Sequence, residues 1–390
     1  MTRPDRFPTT ARALIAGAML GPAWAPAMDP PAKTGAPPAA ILPAKAETRM
    51  EPVLVVATAA SGSDQIVQID WDGKRTVLAG SGLGGIDHET VEDGPALEVR
   101  LLNVSNPVQA PDGTIYFAEQ CRIGRIGPDR KVTTAAETEG FITALAVSPR
   151  DGSVVFGSQS TKGIWLVQRI KADGKTATLL GPGPSGHGWG QFPPPFRNRI
   201  NSLAFTPEGD LLIAENGAPG RTGQGRIHRL RMGGTGTPNQ LPFVPIAGGG
   251  SRPPSAAPGT FSMSDRVDLD APRALAAAPD GVCYFVHCVR TGGKGTSLLQ
   301  AFEPQVCRLD RTGAITVLAG RTGETKLETK GGPGPLAGPG WTPTAGGPDI
   351  TQLRLLPGGW LAAVLETGQL ALIGPTEVAP ASGDTSSSSN

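Results

Sequence analysis

The feature that most constrains this chain is a unit of about forty residues that recurs along it. The stretch NPVQAPDGTIYFAEQCRIGRIGPDRKVTTAAE, residues 106–137, shows the plan. An apolar strand runs into a turn that ends in glycine, and a second apolar strand follows. A hairpin leads to a third strand, and a further turn leads to a fourth. The turn glycines are Gly113, Gly152, Gly209, Gly281 and Gly358, which lie 39, 57, 72 and 77 residues apart. Second strands read IYFAE, VVFGS, LLIAE, CYFVH and LAAVL; third strands read RIGRI, IWLVQ, RIHRL, VCRLD and QLALI. The stretch 53–80 supplies the last three quarters of a unit, so six are visible. Runs of β-branched and aromatic residues bounded by such turns predict four-stranded antiparallel meanders.

A lone meander has two faces and buries only one. Packing the sheets face to face around an axis buries both, and closing the ring leaves short, protected edges. The expected fold is all-β, a six-bladed β-propeller of four-stranded antiparallel meanders over residues 51–376. Composition agrees. The chain has 54 glycines and 39 prolines in 390 residues, roughly twice the ordinary share, and no long helical periodicity after residue 50. Unit one lacks a first strand and unit six a fourth, so a strand from one terminus could complete a blade begun at the other. Irregular spacing places the extra length in loops, which carry function more often than strands do.

The run VLAGSG, followed by EDGPALEVRLLNVSNPVQAPDGTIYFAEQCRIGRIG, resembles NHL repeats, in particular the secreted teneurin-type version. The matching residues are Ala79-Gly80, Asp93-Gly94-Pro95-Ala96, Leu102, Pro107, Asp112-Gly113, Glu119, Arg122 and Arg125. ITVLAG at 315–320 and PIAGGG at 245–250 repeat the Ala-Gly turn. The resemblance covers residues 53–375, and is specific in units two and five and loose in three and six. It implies a propeller that binds a partner rather than catalysing. A weaker resemblance links FRNRINSLAFTPEGDLLIAENGAPGRTGQGRI, from Phe196, to the quinone-dependent sugar dehydrogenases. It implies Ca²⁺ and pyrroloquinoline quinone in the channel, a catalytic histidine early in the chain (His88 by type) and arginines over the cofactor (Arg197 and Arg199). The gluconolactonase-like propeller is a third relative by type, through Glu215-Asn216.

Residues ending the second strands are candidates for a site on one face of the disc: Thr58, Glu119, Ser158, Glu215, His287 and Leu365, with Glu366 next. If Glu119, Ser158, Glu215, Asn216 and His287 converge there, two acids, an amide, a hydroxyl and an imidazole meet. Such a set could hold Ca²⁺, which takes six to eight oxygen ligands; no metal is assigned. The bland alternative is that Glu119 and Glu215 bond the neighbouring hairpin. A second candidate surface is the Gly/Pro loop GPSGHGWGQFPPPF, with His187, Trp189, Phe192 and Phe196. It either binds a partner or packs on its own propeller. His228 reads as an ordinary strand residue. His287 and Cys288, adjacent on a strand, point to opposite faces and do not share an ion.

The net charge is +1, so no global field draws the protein to nucleic acid. Arg122, Arg125, Arg226, Arg229 and Arg308 on third strands read as solvated or paired with acids such as Asp310. Residues 1–27 carry three arginines, an apolar run from Ala13 to Leu20 and the small-x-small site Ala25-Pro26-Ala27, the order of a secretory signal. A Pro/Ala-rich linker, 28–50, follows, and residues 377–390 read as a disordered tail. No other stretch is apolar enough to cross a membrane. Four cysteines are not a disulfide framework, although Cys283 and Cys307 could approach on neighbouring strands. The expected protein is a secreted or periplasmic, non-catalytic scaffold that engages a protein or glycan on one disc face and its long loops. The alternative is a channel-centred enzyme, a quinone-dependent sugar dehydrogenase or metal-dependent lactonase. An acid-lined metal site in the channel would favour the enzyme.

Overall fold

A computed structural model describes residues 54–60, 63–70, 74–82, 93–181, 196, 198–217, 224–232, 243–251, 262–279, 281–291, 301–319, 350–356, 359–365 and 370–373. All lie in one compact unit, Met50–Asn390. The described residues form six antiparallel sheets and no helix. The first sheet holds β1 (Leu54–Ala60), β2 (Ser63–Ile69) and β3 (Arg75–Ala79). The second holds β4 (Gly94–Pro95), β5 (Val104–Gln109), β6 (Ile115–Glu119), β7 (Arg122–Ile126) and β8 (Lys131–Glu137). The third holds β9 (Ile142–Val147), β10 (Val154–Gln159), β11 (Trp165–Ile170) and β12 (Thr176–Leu180). The fourth holds β13 (Ile200–Phe205), β14 (Leu211–Glu215), β15 (Arg226–Leu230) and β16 (Phe243–Gly248). The fifth holds β17 (Ser262–Met263), β18 (Arg273–Ala277), β19 (Cys283–Thr291), β20 (Ala301–Leu309) and β21 (Ala314–Ala319). The last holds β22 (Ile350–Leu355), β23 (Leu361–Leu365) and β24 (Leu370–Ile373).

This is a six-bladed β-propeller, as the repeat predicts. Two refinements appear. The two-residue strands β4 and β17 pair with β8 and β21 and add a fifth strand at the edge. The β19–β20 hairpin is also long, nine residues a side, where the other second and third strands have four to seven.

The register repeats as faithfully as the sequence. A bulge interrupts the pairing of first and second strands in blades two to six. Another interrupts third and fourth strands in blades one to five. In the first sheet the bulge lies between Ile66↔Ala79 and Val67↔Val77, matching Ile123↔Ala136 and Gly124↔Thr134 in the second. That match identifies β1, β2 and β3 as second, third and fourth strands. The first strand of blade one is thus missing among the described residues. So is the fourth strand of blade six. Among the described residues neither sheet lends a strand to the other. The ring closes by face packing, with Val56, Val67 and Ile69 of the first sheet buried against Val364 and Leu370 of the last.

The turn glycines behave as the pattern demands. Gly113, Gly152, Gly209 and Gly281 have φ of 86°, 68°, 82° and 75°, a region that costs other residues a Cβ clash. In the last unit this place falls on Gly359, φ 78°, one residue past the expected Gly358, which lies outside the described residues. The reason is the frame Pro-x-Gly: counted from Pro357, Gly359 stands where Gly113, Gly209 and Gly281 stand from Pro111, Pro207 and Pro279.

Gly124 serves packing instead. It pairs directly with Phe117, whose ring is fully buried. A Cβ at 124 would lie 2.6 and 2.8 Å from two edge carbons of that ring and overlap its tip. Gly124→Ala should therefore destabilise the protein by about 1–3 kcal/mol, the usual cost of overpacking. The double variant with Phe117→Leu should recover part of that loss relative to Phe117→Leu alone. Urea unfolding checks it; additive losses would mean the ring moves aside freely.

Candidate functional site

Glu119 and Glu215 end the second strands of blades two and four, and each is almost completely buried. The Leu102 N–H donates to Glu119 Oε1 at 2.6 Å. The Asn198 N–H donates to Glu215 Oε1 at 3.1 Å. In both cases the donor stands 17 residues before the acid. The carboxylate thus ties down the segment that enters its own blade's first strand, at the same place in both repeats.

The second carboxylate oxygens differ. Glu119 Oε2 accepts from Arg122 Nη1 at 3.0 Å. The same guanidinium donates to Asp93 Oδ1 at 2.6 Å and to Thr134 Oγ1 at 2.8 Å. Burial raises the Glu119 pKa above the usual carboxylate range; the Leu102 N–H and the Arg122 charge pull it back without cancelling the rise. In blade four, Glu215 Oε2 lies 3.0 Å from His228 Nε2. The ring is buried, and its Nδ1 has no hydrogen-bond partner, so Nε2 carries the proton that the carboxylate accepts. Phe243 stacks on the imidazole with centroids 4.7 Å apart, and Phe196 meets it edge-on at 5.9 Å. The tie between Glu215 and His228 was not legible in the sequence. Glu215 pairs across the hairpin with Arg226, and the partner is the residue two further on, on the same face.

The other expected site residues sit as follows. Ser158 is buried, and its hydroxyl donates to Gln168 Oε1 at 2.9 Å. Asn216 donates its backbone N–H to the Arg199 carbonyl, and its side-chain oxygen accepts from Gly217. His287 is buried opposite Gln305, and neither His287 Nδ1 nor Gln305 Oε1 has a partner. Burial lowers the His287 pKa to about 4, with the Asp270 charge opposing the drop. Leu365 is buried and apolar. Phe196 belongs to the core cluster between blades three and four rather than to an open surface. His88, His187, Trp189, Phe192, Arg197 and Glu366 lie outside the described residues, as does the side chain of Thr58. Among the described residues no group of three or more His, Cys, Asp or Glu side chains is placed to hold a metal ion.

Two of the five third-strand arginines form ion pairs: Arg122 takes the two acids above, and Arg229 meets Asp210 at 2.6 Å. Arg125 donates to Thr133 Oγ1 at 2.9 Å. The four cysteines are free. Cys283 and Cys307 share a core cluster but are offset, Cys283 pairing with Leu309 and Cys307 with Phe285. Burial pushes the Cys283 thiol up to about 12 and raises Cys307 further.

The central channel has its own chemistry. First strands of blades two to six (β5, β9, β13, β18 and β22) line an open cavity of about 250 Å³. None of the second-strand acids lines it. Its wall is mostly Ala, Val, Leu and Phe, with Asn106, Gln109, Ser202, Thr351, Gln352 and Arg354 as polar members.

These features define the class: a six-bladed β-propeller with buried, internally bonded acids and a carboxylate-free channel wall among the described residues. No protein-family model matches the chain, and no curated protein matches it by sequence. Among solved structures it is similar to a gluconolactonase from Xanthomonas campestris, at 14% identity and TM-score 0.41 over 84% of this chain and 89% of that one. It is similar to TolB from Acinetobacter baumannii, at 13% identity and TM-score 0.43 over 83% of this chain and 63% of that one. A chain of a nidogen/laminin complex matches at 12% identity and TM-score 0.45 over 80% of this chain and 85% of that one. At these identities none lends its activity or its partner to this chain.

Proposed function

We propose that this chain is a non-catalytic binding scaffold, an NHL-type propeller that is secreted or periplasmic and engages a protein or glycan on one disc face and its long loops. The observation that carries the reading is the engagement of the buried acids. Glu119 and Glu215 each hold a backbone N–H of their own blade and a basic side chain. A carboxylate fixed in this way positions a strand rather than a substrate. The channel wall adds support: a guanidinium without carboxylates repels a divalent cation, which wants several anionic oxygens. Export rests on the sequence of residues 1–27, which has the order of a secretory signal.

The test is a paired assay on the full chain. Turnover of gluconolactone is measured with Ca²⁺ or Zn²⁺, and dye-linked oxidation of glucose with Ca²⁺ and pyrroloquinoline quinone. The expected result is the rate of the protein-free blank in both. Turnover above the blank that Glu215→Gln abolishes would overturn the scaffold reading. A glycan array and affinity measurements against extracellular-matrix proteins then identify the partner class.

A further inference from the structure

Five blades place a first strand on the channel, and the sixth place, that of blade one, is open among the described residues. The side chains of β22 that face it are unlike their counterparts. The residue paired with the second position of the second strand is Val108, Ala146, Ala204 and Ala276 in blades two to five. In blade six it is Arg354, paired with Ala362. A long cation thus stands where the four preceding blades have a small apolar residue. Its terminal Nη2 reaches the Pro107 carbonyl of β5 at 3.4 Å.

Arg354 is half-buried and carries the charge of the cavity wall, which contains no acid. A guanidinium has five N–H donors and keeps its charge in proteins. A long bond to one carbonyl leaves most of those donors without a protein acceptor. Burial alone pushes its pKa below the ordinary value; no neighbouring carboxylate acts on it. A half-buried cation facing a cavity without a counter-charge attracts an anion. Two residues away on the same face, Gln352 also lines the cavity, and its Oε1 is buried without a donor. The wall therefore presents unfilled N–H donors in planar array and, beside them, an unfilled acceptor.

We propose that the channel binds a small hydroxycarboxylate. Its carboxylate meets the Arg354 fork, the geometry that guanidinium takes with carboxylates. Its hydroxyl donates to Gln352. The apolar Ala, Val and Leu walls contact the carbon skeleton. The cavity is just below the range of about 300–1,000 Å³ typical of drug-sized ligands, so the ligand is small. The site is independent of the partner-binding role proposed above, because it lies on the axis and not on the disc face or loops.

The test is calorimetric titration and thermal unfolding of the full chain with lactate, tartrate, acetate and inorganic phosphate at constant ionic strength. Saturable binding of lactate or tartrate is expected, with acetate at least tenfold weaker and the melting point raised by several degrees at saturation. Arg354→Met should abolish binding. Gln352→Leu should bring lactate and acetate within about threefold of each other. Arg354→Lys, which keeps the charge but loses the fork, should weaken binding about tenfold and covers the case in which the methionine variant does not fold. Absence of saturable binding to the wild-type chain would overturn the proposal. So would unchanged affinity in a folded Arg354→Met variant, or tighter binding of phosphate than of any carboxylate.

Discussion

Replacing Glu215 by leucine is expected to cost about 2–5 kcal/mol of folding stability. The side chain is buried and accepts from the Asn198 N–H and His228 Nε2. Leucine removes both acceptors, and each buried donor left without a partner costs about 1–3 kcal/mol. The imidazole cannot turn to water, because Phe196 and Phe243 hold it edge and face. Glu215→Gln keeps the shape and one acceptor, so its loss should be about half. Glu119→Leu should also cost less than Glu215→Leu, because Arg122 keeps Asp93 and Thr134. Urea unfolding of the three variants gives the order directly. If Glu215→Leu matched wild type, the carboxylate would not tie the strand entry to the hairpin.

The second large effect concerns acid. His287 has its pKa lowered from 6.5 to about 4 by burial. The unfolded chain therefore takes up this proton first as pH falls, and the native state resists it. The stability that His287 contributes is complete above pH 6.5. It declines below that and is lost by about pH 4. A displacement of this size corresponds to about 3 kcal/mol. His287→Gln carries no titrating group, so its stability should fall less between pH 7 and pH 4, by about that amount. Denaturant melts of both proteins across this range read the difference. Parallel curves would mean that the imidazole is not held neutral. Gln305, whose Oε1 lacks a donor, faces His287. The amide introduced by the substitution therefore has a partner within reach, and the comparison is not dominated by a new cavity.

The two effects have a common origin. Both acids end second strands, where the sheet meets the disc face and the chain must turn; His287, expected from the sequence to end its strand too, holds the matching fifth position of β19, which runs on to Thr291. In blades two and four a carboxylate at this place takes an N–H of the backbone that enters the first strand. Blade three has Ser158, bonded within its hairpin to Gln168. Blade six has Leu365, which is simply buried. The same sequence position thus does different work in different blades. An acid there does not by itself mark a site.

The sequence by itself determined the blade plan, since strand boundaries follow from local chemistry. IYFAE and RIGRI are β6 and β7 to the residue, because alternating apolar residues and left-handed glycine turns leave little choice of register. It also determined the phase of the incomplete first blade, through the match of VLVVATAA to later second strands. The tertiary structure alone decided where the polar side chains go. Whether Glu215 meets Arg226 or His228, and whether Phe196 turns outward or into the core, depends on which face of a strand meets the next blade. That contact joins residues far apart in sequence. Arg354 makes the point most sharply: it lies within the strand ITQLRL, and only ring closure, which brings β22 within reach of β5, puts its charge in the channel. Short-range periodicity fixes strands and turns; the long-range packing of six sheets fixes the environment of each charge.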